Sequence, residues 1–169
     1  VLFAMRRDLC DIKKGLENFK AVSHRGEVVK LEDGSVVIDD SYNANPDSMN
    51  AAVNMLSEYK LPKIFVAGDM GELGVQSPQY HRELGEFVRR RGIENFFSIG
   101  NRMLDAVEGY GEGARHFETQ EELLSAIKEE LAKGPHAVLF KASNFMKLFK
   151  LADELRTWNK QEEKEPKEN

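Results

Sequence analysis

The sequence predicts an α/β fold: a mostly parallel sheet of about six strands, one of them antiparallel, with helices on both faces. Short strand-like segments alternate along the chain with longer segments whose apolar residues recur at helical spacing, as in right-handed βαβ crossovers. The pair Asp33-Gly34 joins the first two strand-like segments and is a strong hairpin signal, which makes the first strand the antiparallel one. The chain of 169 residues is 41% hydrophobic and is long enough to bury one sizeable core.

The predicted elements follow in order from this alternation. Short apolar or alternating segments bounded by turn residues are predicted as strands. They are residues 25–31, 35–39, 63–67, 95–99, 114–117 and 137–141. Longer amphipathic segments between and after them are predicted as helices, at residues 46–59, 78–91, 102–109, 119–133 and 144–158.

Both ends of the chain are predicted to lie outside this domain. Residues 1–7 resemble the last turns of a helix and residues 10–19 a short amphipathic helix, so residues 1–19 are interpreted as the end of a preceding domain and a connecting helix. The chain is expected to be a piece of a longer one, because it begins without Met. Residues 20–158 form the single predicted domain. Residues 159–169 are nearly all charged or polar and are expected to be a frayed tail.

Composition excludes several classes of function. A net charge of -5 argues against nucleic acid or an anionic membrane as a general partner, and no apolar run approaches the ~18 residues that span a bilayer. The single Cys10 rules out an internal disulfide and fits a reducing cytosol. The histidines, at positions 24, 81, 116 and 136, show no metal-ligand spacing, and His81 is expected on the polar face of its helix. No metal ligand or catalytic residue is assigned.

Ligands of parallel sheets bind beyond the carboxyl ends of the strands, so the loops that follow strands are the candidate sites. Four segments qualify: DDSYNANP at 39–46, GDMGELG at 68–74, GNR at 100–102 and KASNFM at 141–146. Loops that precede strands are expected to matter less.

The segment DDSYNANP predicts a nucleotide or phosphate site. A carboxylate just past a strand can accept hydrogen bonds from a ribose, and the helix start after it can hold an anion. Asn45 precedes Pro46 and is also a natural helix N-cap. That simpler interpretation explains Asn45, but not the two carboxylates, the phenol and the other amide before it.

The other segments give weaker signals. GDMGELG is Gly-rich, but the chain has no Gly-Lys-Ser/Thr sequence and hence no P-loop, and a tight turn explains the glycines as well as a ligand does. Ser143 is expected to cap the helix that follows it. Lys141 stands at the carboxyl end of a strand, where it faces the predicted ligand cleft. Arg25, at the start of the predicted hairpin, is by itself more typical of a solvated charge.

Together these segments resemble the Mur ligases. DDSYNANPDSM, VAGDMGELG, YHRELGEFV and VLFKASNFM follow one another as in the carboxyl-terminal domain of that family, over nearly the whole chain. The YNANP form is similar to the branch that adds D-alanyl-D-alanine to UDP-N-acetylmuramoyl-tripeptide. The resemblance therefore implies a Rossmann-like third domain of a three-domain, ATP-dependent ligase of peptidoglycan precursor synthesis.

The resemblance also implies cofactors and partners. ATP would phosphorylate the substrate carboxylate, and the amine of D-alanyl-D-alanine would then displace phosphate. A central domain would carry the P-loop and hold most of the Mg²⁺, and the third domain would close over ATP from the other side. The expected partners are the two peptide substrates and the other two domains, in the cytoplasm.

Carried over position by position, the resemblance implies four residues in contact with the cofactor. Arg25 in HRGEVV matches an arginine that contacts the nucleotide, and Asp40 matches an aspartate that holds the ribose. Asn43 and Asn45 match residues nearest the phosphates and the incoming dipeptide.

Three further residues, Tyr42, Lys141 and Ser143, are assigned to the substrate. The last two lie in a loop that reads KASN where this branch usually has KGSR. Ala142 stands in place of the usual glycine and Asn144 in place of the usual arginine. A role that needs the charge of that arginine is therefore not carried over.

Two alternatives of other kinds stay open. One is a stand-alone α/β module that binds a nucleotide or a small acid without chemistry. The other is a related amide ligase of the folylpolyglutamate or cyanophycin type. The YNANP and GDMGELG segments favour the first interpretation over the related ligases, and a Gly-Lys-Ser/Thr sequence encoded upstream would separate it from the stand-alone module.

Overall fold

A computed structural model describes residues 23–162, so the predicted helices at 1–7 and 10–19 lie outside the described residues. The strands are β1 Glu27–Lys30, β2 Val36–Asp39, β3 Lys63–Gly68, β4 Asn95–Ile99, β5 Arg115–Phe117 and β6 Ala137–Lys141. They form one sheet in the order β1-β2-β6-β3-β4-β5. Only the β1–β2 pair is antiparallel among these neighbours, which confirms the predicted sheet and its single antiparallel strand.

Within residues 23–162, five α-helices pack on the two faces of the sheet and confirm the predicted layers. They are α1 Pro46–Ser57, α2 Ser77–Arg90, α3 Met103–Tyr110, α4 Gln120–Leu131 and α5 Phe149–Glu162. The first three bury one apolar core, which contains Met49, Leu84 and Met103. The last two bury the other, which contains Ile127 and Leu151. No helix within residues 23–162 is long and apolar enough to cross a membrane.

The last helix differs from its prediction at both ends. It begins at Phe149 rather than Asn144, because Asn144–Met146 form a separate 3₁₀ turn and Lys147 takes a left-handed conformation with φ 56°. A left-handed residue interrupts the α-helical path. The helix also continues to Glu162, beyond the predicted start of the tail at residue 159. Residues 163–169 lie outside the described part of the chain.

The hairpin at the edge of the sheet brings the start of β1 to the ligand edge. Asp33 accepts the backbone N–H of Ser35, and Gly34 takes φ 89° in the turn. Glu27 then lies opposite Asp39, the last residue of β2. Since β1 is antiparallel, it starts where the parallel strands end. The residues that precede β1, including Arg25, therefore reach the carboxyl edge of the sheet.

Candidate functional site

The loop after β2 is held from inside the protein by Asp39. This side chain is fully buried, and its Oδ1 accepts hydrogen bonds from the backbone N–H of Ser41 at 3.1 Å and from the Ser41 hydroxyl at 2.5 Å. Its Oδ2 lies 2.6 Å from Nδ1 of His24. Both carboxylate oxygens are thus engaged, and Asp39 fixes the course of the loop.

Lys141, at the end of β6, ties the same loop to the centre of the sheet. Its ammonium group donates to the Asp40 carboxylate at 2.8 Å and to the carbonyl of Asn43 at 2.9 Å. The Lys141 side chain is 3% exposed, whereas that of Asp40 is 27% exposed and reaches a surface cleft. Lys141 therefore sets the position of Asp40 from beneath. The Lys141 ammonium group binds the loop within the protein, and its assignment to the substrate stays a prediction.

The first cleft, of about 460 Å³, lies between the start of β1 and α1. The Arg25 guanidinium stacks over the Tyr42 ring, 4.2 Å from its centroid. The lining also includes the apolar side chains of Ala52 and Met55 and the carboxylate of Asp40. A flat cation–aromatic pair, an apolar wall and a carboxylate suit a ligand with a planar ring and hydroxyl groups.

His24 holds Arg25 and Tyr42 in this arrangement. It takes a left-handed conformation with φ 65°, unusual for a residue with a side chain. Its ring contacts the Phe149 ring with centroids 4.6 Å apart, and its carbonyl accepts the N–H of Tyr42 at 3.0 Å. Together with the bond to Asp39, these contacts hold the backbone that presents Arg25.

His24, Asp39 and Asp153 place potential metal-ligand atoms within 4.8 Å of one another. The Arg156 guanidinium lies 3.8 Å from Asp39 and 3.2 Å from Asp153. This cation already compensates the two carboxylates, so the geometry is that of an ion-pair network.

The second cleft, of about 620 Å³, lies between the loops that follow β2, β3, β4 and β6. Ser143 joins two of these loops, since its hydroxyl accepts the N–H of Gly71 at 2.8 Å and its own N–H donates to the Asp69 carbonyl at 3.1 Å. The predicted helix cap at Ser143 is therefore wrong: the hydroxyl binds a residue 72 positions away. Asn43 and Asn45 line both clefts.

Asn45 caps α1 as the simpler interpretation predicted. Its side-chain oxygen accepts the N–H of Ser48 at 2.8 Å, and the Ser48 hydroxyl accepts the N–H of Asn45 at 3.0 Å. This capping box fixes the start of α1 at a residue that lines both clefts. Direct contact of Asn45 with a ligand stays a prediction.

Asp69, in the GDMGELG loop, fixes the start of α3. Its Oδ1 accepts the N–H groups of Arg102 at 3.0 Å and Met103 at 3.1 Å. Burial raises the pKa of Asp69, and those two backbone donors together with the charge of Arg102 offset only part of the rise. A Cβ at Gly100 would meet the Asp69 carboxylate at 2.5 Å, so this close approach requires glycine.

His81 holds the same loop from the other side. Its Nε2 accepts the N–H of Met70 at 3.1 Å and its Nδ1 lies 2.7 Å from the Ser77 carbonyl, an arrangement that requires the neutral ring. The ring is fully buried, so the prediction of a polar helix face at His81 is wrong. Its partner is a backbone group, which periodicity along the helix does not reveal.

The assigned residues thus divide between the two clefts and the interior. Arg25, Asp40 and Tyr42 meet in the first cleft, Ser143 lies in the second, and Lys141 lies beneath the loop. The structure therefore groups Tyr42 with the cofactor residues rather than with the other substrate residues. Arg102, which no sequence argument assigned, also lines the second cleft; its segment GNR had been recognised only as a loop that follows a strand.

Comparison with known protein families shows which family contains this domain. A family model described as "Mur ligase, glutamate ligase domain" matches residues 24–144, which include every assigned site residue. The chain belongs to the Mur ligase family. The resemblance drawn from the sequence motifs is thereby confirmed, and the two clefts lie in the domain that the family model describes.

Individual Mur ligases support the same assignment. The chain is 35% identical over 154 residues to the UDP-N-acetylmuramoyl-tripeptide–D-alanyl-D-alanine ligase of Buchnera aphidicola, with 90% of this chain and 34% of that protein covered. It is 38% identical over 124 residues to the Escherichia coli ligase of the same name, with 72% and 27% covered. The crystal structure of MurF from Acinetobacter baumannii superposes with a TM-score of 0.81 at 32% identity, with 92% and 34% covered. The chain thus spans about a third of the length of these relatives.

Proposed function

We propose that this chain is the carboxyl-terminal domain of an ATP-dependent ligase that adds D-alanyl-D-alanine to UDP-N-acetylmuramoyl-tripeptide. The observation that carries the proposal is the convergence of four loops into two adjoining polar clefts, in a chain whose relatives bear this name. The domain would comprise residues 20–158, and the ligase would act in the cytoplasm on precursors of peptidoglycan. The amide-ligase alternative has no comparable support, because the named relatives are of the D-alanyl-D-alanine-adding kind.

The first cleft fits the nucleoside part of ATP. Arg25 and Tyr42 form a flat surface against which an adenine ring can stack, and Ala52 and Met55 supply the apolar side. Asp40, held at the mouth by Lys141, can accept hydrogen bonds from ribose hydroxyls. A volume of about 460 Å³ is within the ordinary range for a small-ligand pocket.

The proposed role of the chain is to position the reactants. ATP supplies the phosphoryl group that activates the substrate carboxylate. Arg25 and Asp40 orient the nucleoside, while Asn43 and Asn45, which line both clefts, lie where the phosphates and the incoming amine would meet. Closure of the domain over the other parts of the ligase would exclude water, which would otherwise hydrolyse the activated carboxylate.

Mg²⁺ is assigned to the remainder of the ligase. In residues 23–162, the only cluster of three potential ligands is His24, Asp39 and Asp153, and the Arg156 guanidinium lies among them. The residues that line the two clefts include only two carboxylates, Asp40 and Glu72, one in each cleft. This donor set is too sparse for a hard cation that prefers several oxygen ligands.

The test uses the complete ligase encoded by the reading frame that contains this chain. Phosphate release should require ATP, UDP-N-acetylmuramoyl-tripeptide and D-alanyl-D-alanine together. Asp40→Asn should raise the KM for ATP more than the KM for the dipeptide, because the amide retains the shape and one acceptor but loses the charge. Phosphate release that is independent of the dipeptide would contradict the proposed function, and unchanged ATP kinetics in the variant would contradict the ribose assignment.

A further inference from the structure

The second cleft contains opposite charges that do not neutralise each other. Arg102 lies at the start of α3 and Glu72 in the loop after β3, and both line the cleft with exposed side chains. Neither forms an ion pair with any residue of the described range 23–162, whereas ten other ion-pair contacts occur there. A separated cation and anion in one cleft match a ligand that itself carries both charges.

Arg102 is held in place while most of its donors remain available. Its Nη1 donates to the Met70 carbonyl at 3.0 Å, and its backbone N–H donates to Asp69 at 3.0 Å. A guanidinium group has five N–H donors, and that single side-chain bond is the only one it makes to a described residue. The remaining donors can bind both oxygens of a carboxylate in the forked geometry that arginine favours.

The neighbouring side chains favour a peptide over a phosphate chain. Asn43, Ser143 and Asn144 add neutral polar groups, and the exposed Phe145 adds an apolar surface. Glu72 would repel a polyanion, whereas it would attract an ammonium group. This mixture suits a short peptide with small apolar side chains and charged ends.

We infer that Arg102 is the residue of the second cleft that binds the carboxylate of a peptide substrate. The inference rests on the proposed function and extends it, since it names the residue and the group recognised. The carboxylate can come from either peptide substrate: the free end of the dipeptide or the tripeptide moiety. Arg102 is then a specificity-determining residue.

The experiment compares D-alanyl-D-alanine with its carboxyl-terminal amide as acceptors for the complete ligase. If the dipeptide supplies the carboxylate, the wild-type enzyme should prefer the acid by roughly tenfold or more in kcat/KM, the effect expected for a charge-assisted hydrogen bond, and Arg102→Gln should abolish that preference. If the tripeptide supplies it, Arg102→Gln should leave the ratio of acid to amide as in the wild type, while the KM for the UDP-tripeptide rises about tenfold or more. Either result supports the inference.

The matched control is Lys150→Gln, which removes an exposed cation that does not line the cleft. It should leave the acid preference and all three KM values near those of the wild type. Arg102→Lys serves as the second variant if Arg102→Gln does not fold: it keeps the charge but not the fork and should retain part of the preference. Unchanged peptide kinetics in the Arg102 variants, or a change confined to ATP, would overturn the inference. A wild-type enzyme that does not use the dipeptide would instead contradict the proposed function.

Discussion

The ion pair between the buried Lys141 and the partly exposed Asp40 predicts an unequal response to the loss of either partner. Asp40→Ala leaves an ammonium group at a position that is 3% exposed, with only backbone carbonyls as acceptors among the described residues. Lys141→Met leaves a carboxylate that is 27% exposed and that water can hydrate. The first change should therefore destabilise the fold more than the second.

The magnitudes follow from the same burial. An uncompensated buried charge costs about 3–5 kcal/mol, which we expect for Asp40→Ala. Loss of a charge-assisted hydrogen bond costs about 1.5–3 kcal/mol, which we expect for Lys141→Met. At about 2–4 °C of Tm per kcal/mol for a domain of this size, Asp40→Ala should lower the Tm by about 6–20 °C.

Urea unfolding followed by circular dichroism measures both free energies of unfolding. Lys133→Met is the matched control, because Lys133 and Glu130 are also 2.8 Å apart but the Lys133 side chain is 65% exposed. We expect that variant to lose less than about 1 kcal/mol. A larger loss for Lys141→Met than for Asp40→Ala would refute the argument that Lys141 is the buried partner that depends on Asp40.

Three further predictions concern the nucleotide, the pH and the isolated chain. Arg25→Lys in the complete ligase should raise the KM for ATP nearly as much as Arg25→Ala, because lysine does not stack flat on Tyr42. If Arg25→Lys keeps most of the activity, Arg25 contributes only a positive charge and not a specific contact. Burial raises the pKa of Asp69 in the folded state, so the folded protein holds this proton to a higher pH than the unfolded chain does. The free energy of unfolding should therefore fall as the pH rises from the ordinary pKa of an aspartate through the folded pKa of Asp69. Asp69→Asn keeps an acceptor for the N–H groups of Arg102 and Met103 but does not titrate, so urea titrations should show the variant gaining stability relative to the wild type over that pH interval. A difference in free energy of unfolding that does not change with pH would contradict the raised pKa of Asp69. The isolated chain should fold cooperatively yet show neither phosphate release nor micromolar ATP binding in calorimetry, since it has no P-loop; turnover above the blank would show a complete nucleotide site within it.

The sequence predicted the fold well because its main signals are local. Alternating short and amphipathic segments specify the layers, and Asp33-Gly34 marks the hairpin. Local signals failed where the decisive partner is distant in the chain. Ser143 looks like a helix cap but binds Gly71, and His81 looks like a polar-face residue but binds Met70.

The candidate site was predictable only in part, for a topological reason. The rule that ligands lie beyond strand ends selected the loops of Asp40, Arg102 and Ser143. It passed over Arg25, which precedes a strand, because the rule assumes parallel strands and β1 is antiparallel. Only the family resemblance singled out that residue. The division of the loops into two clefts depends on side-chain packing between loops, which no single segment encodes.

The length of the turn between β1 and β2 determines which residues meet in the first cleft. This length places Glu27 opposite Asp39, and Arg25 and Tyr42 lie two and three residues beyond that pair. One inserted residue would slip the register of β1, reverse the faces of its side chains and carry Arg25 away from Tyr42. The turn lies roughly 14 Å from the cleft, about four residues at ~3.4 Å each. Insertions and deletions at a solvent-facing hairpin, which loops normally tolerate, should therefore be selected against here for their effect on the proposed nucleotide site.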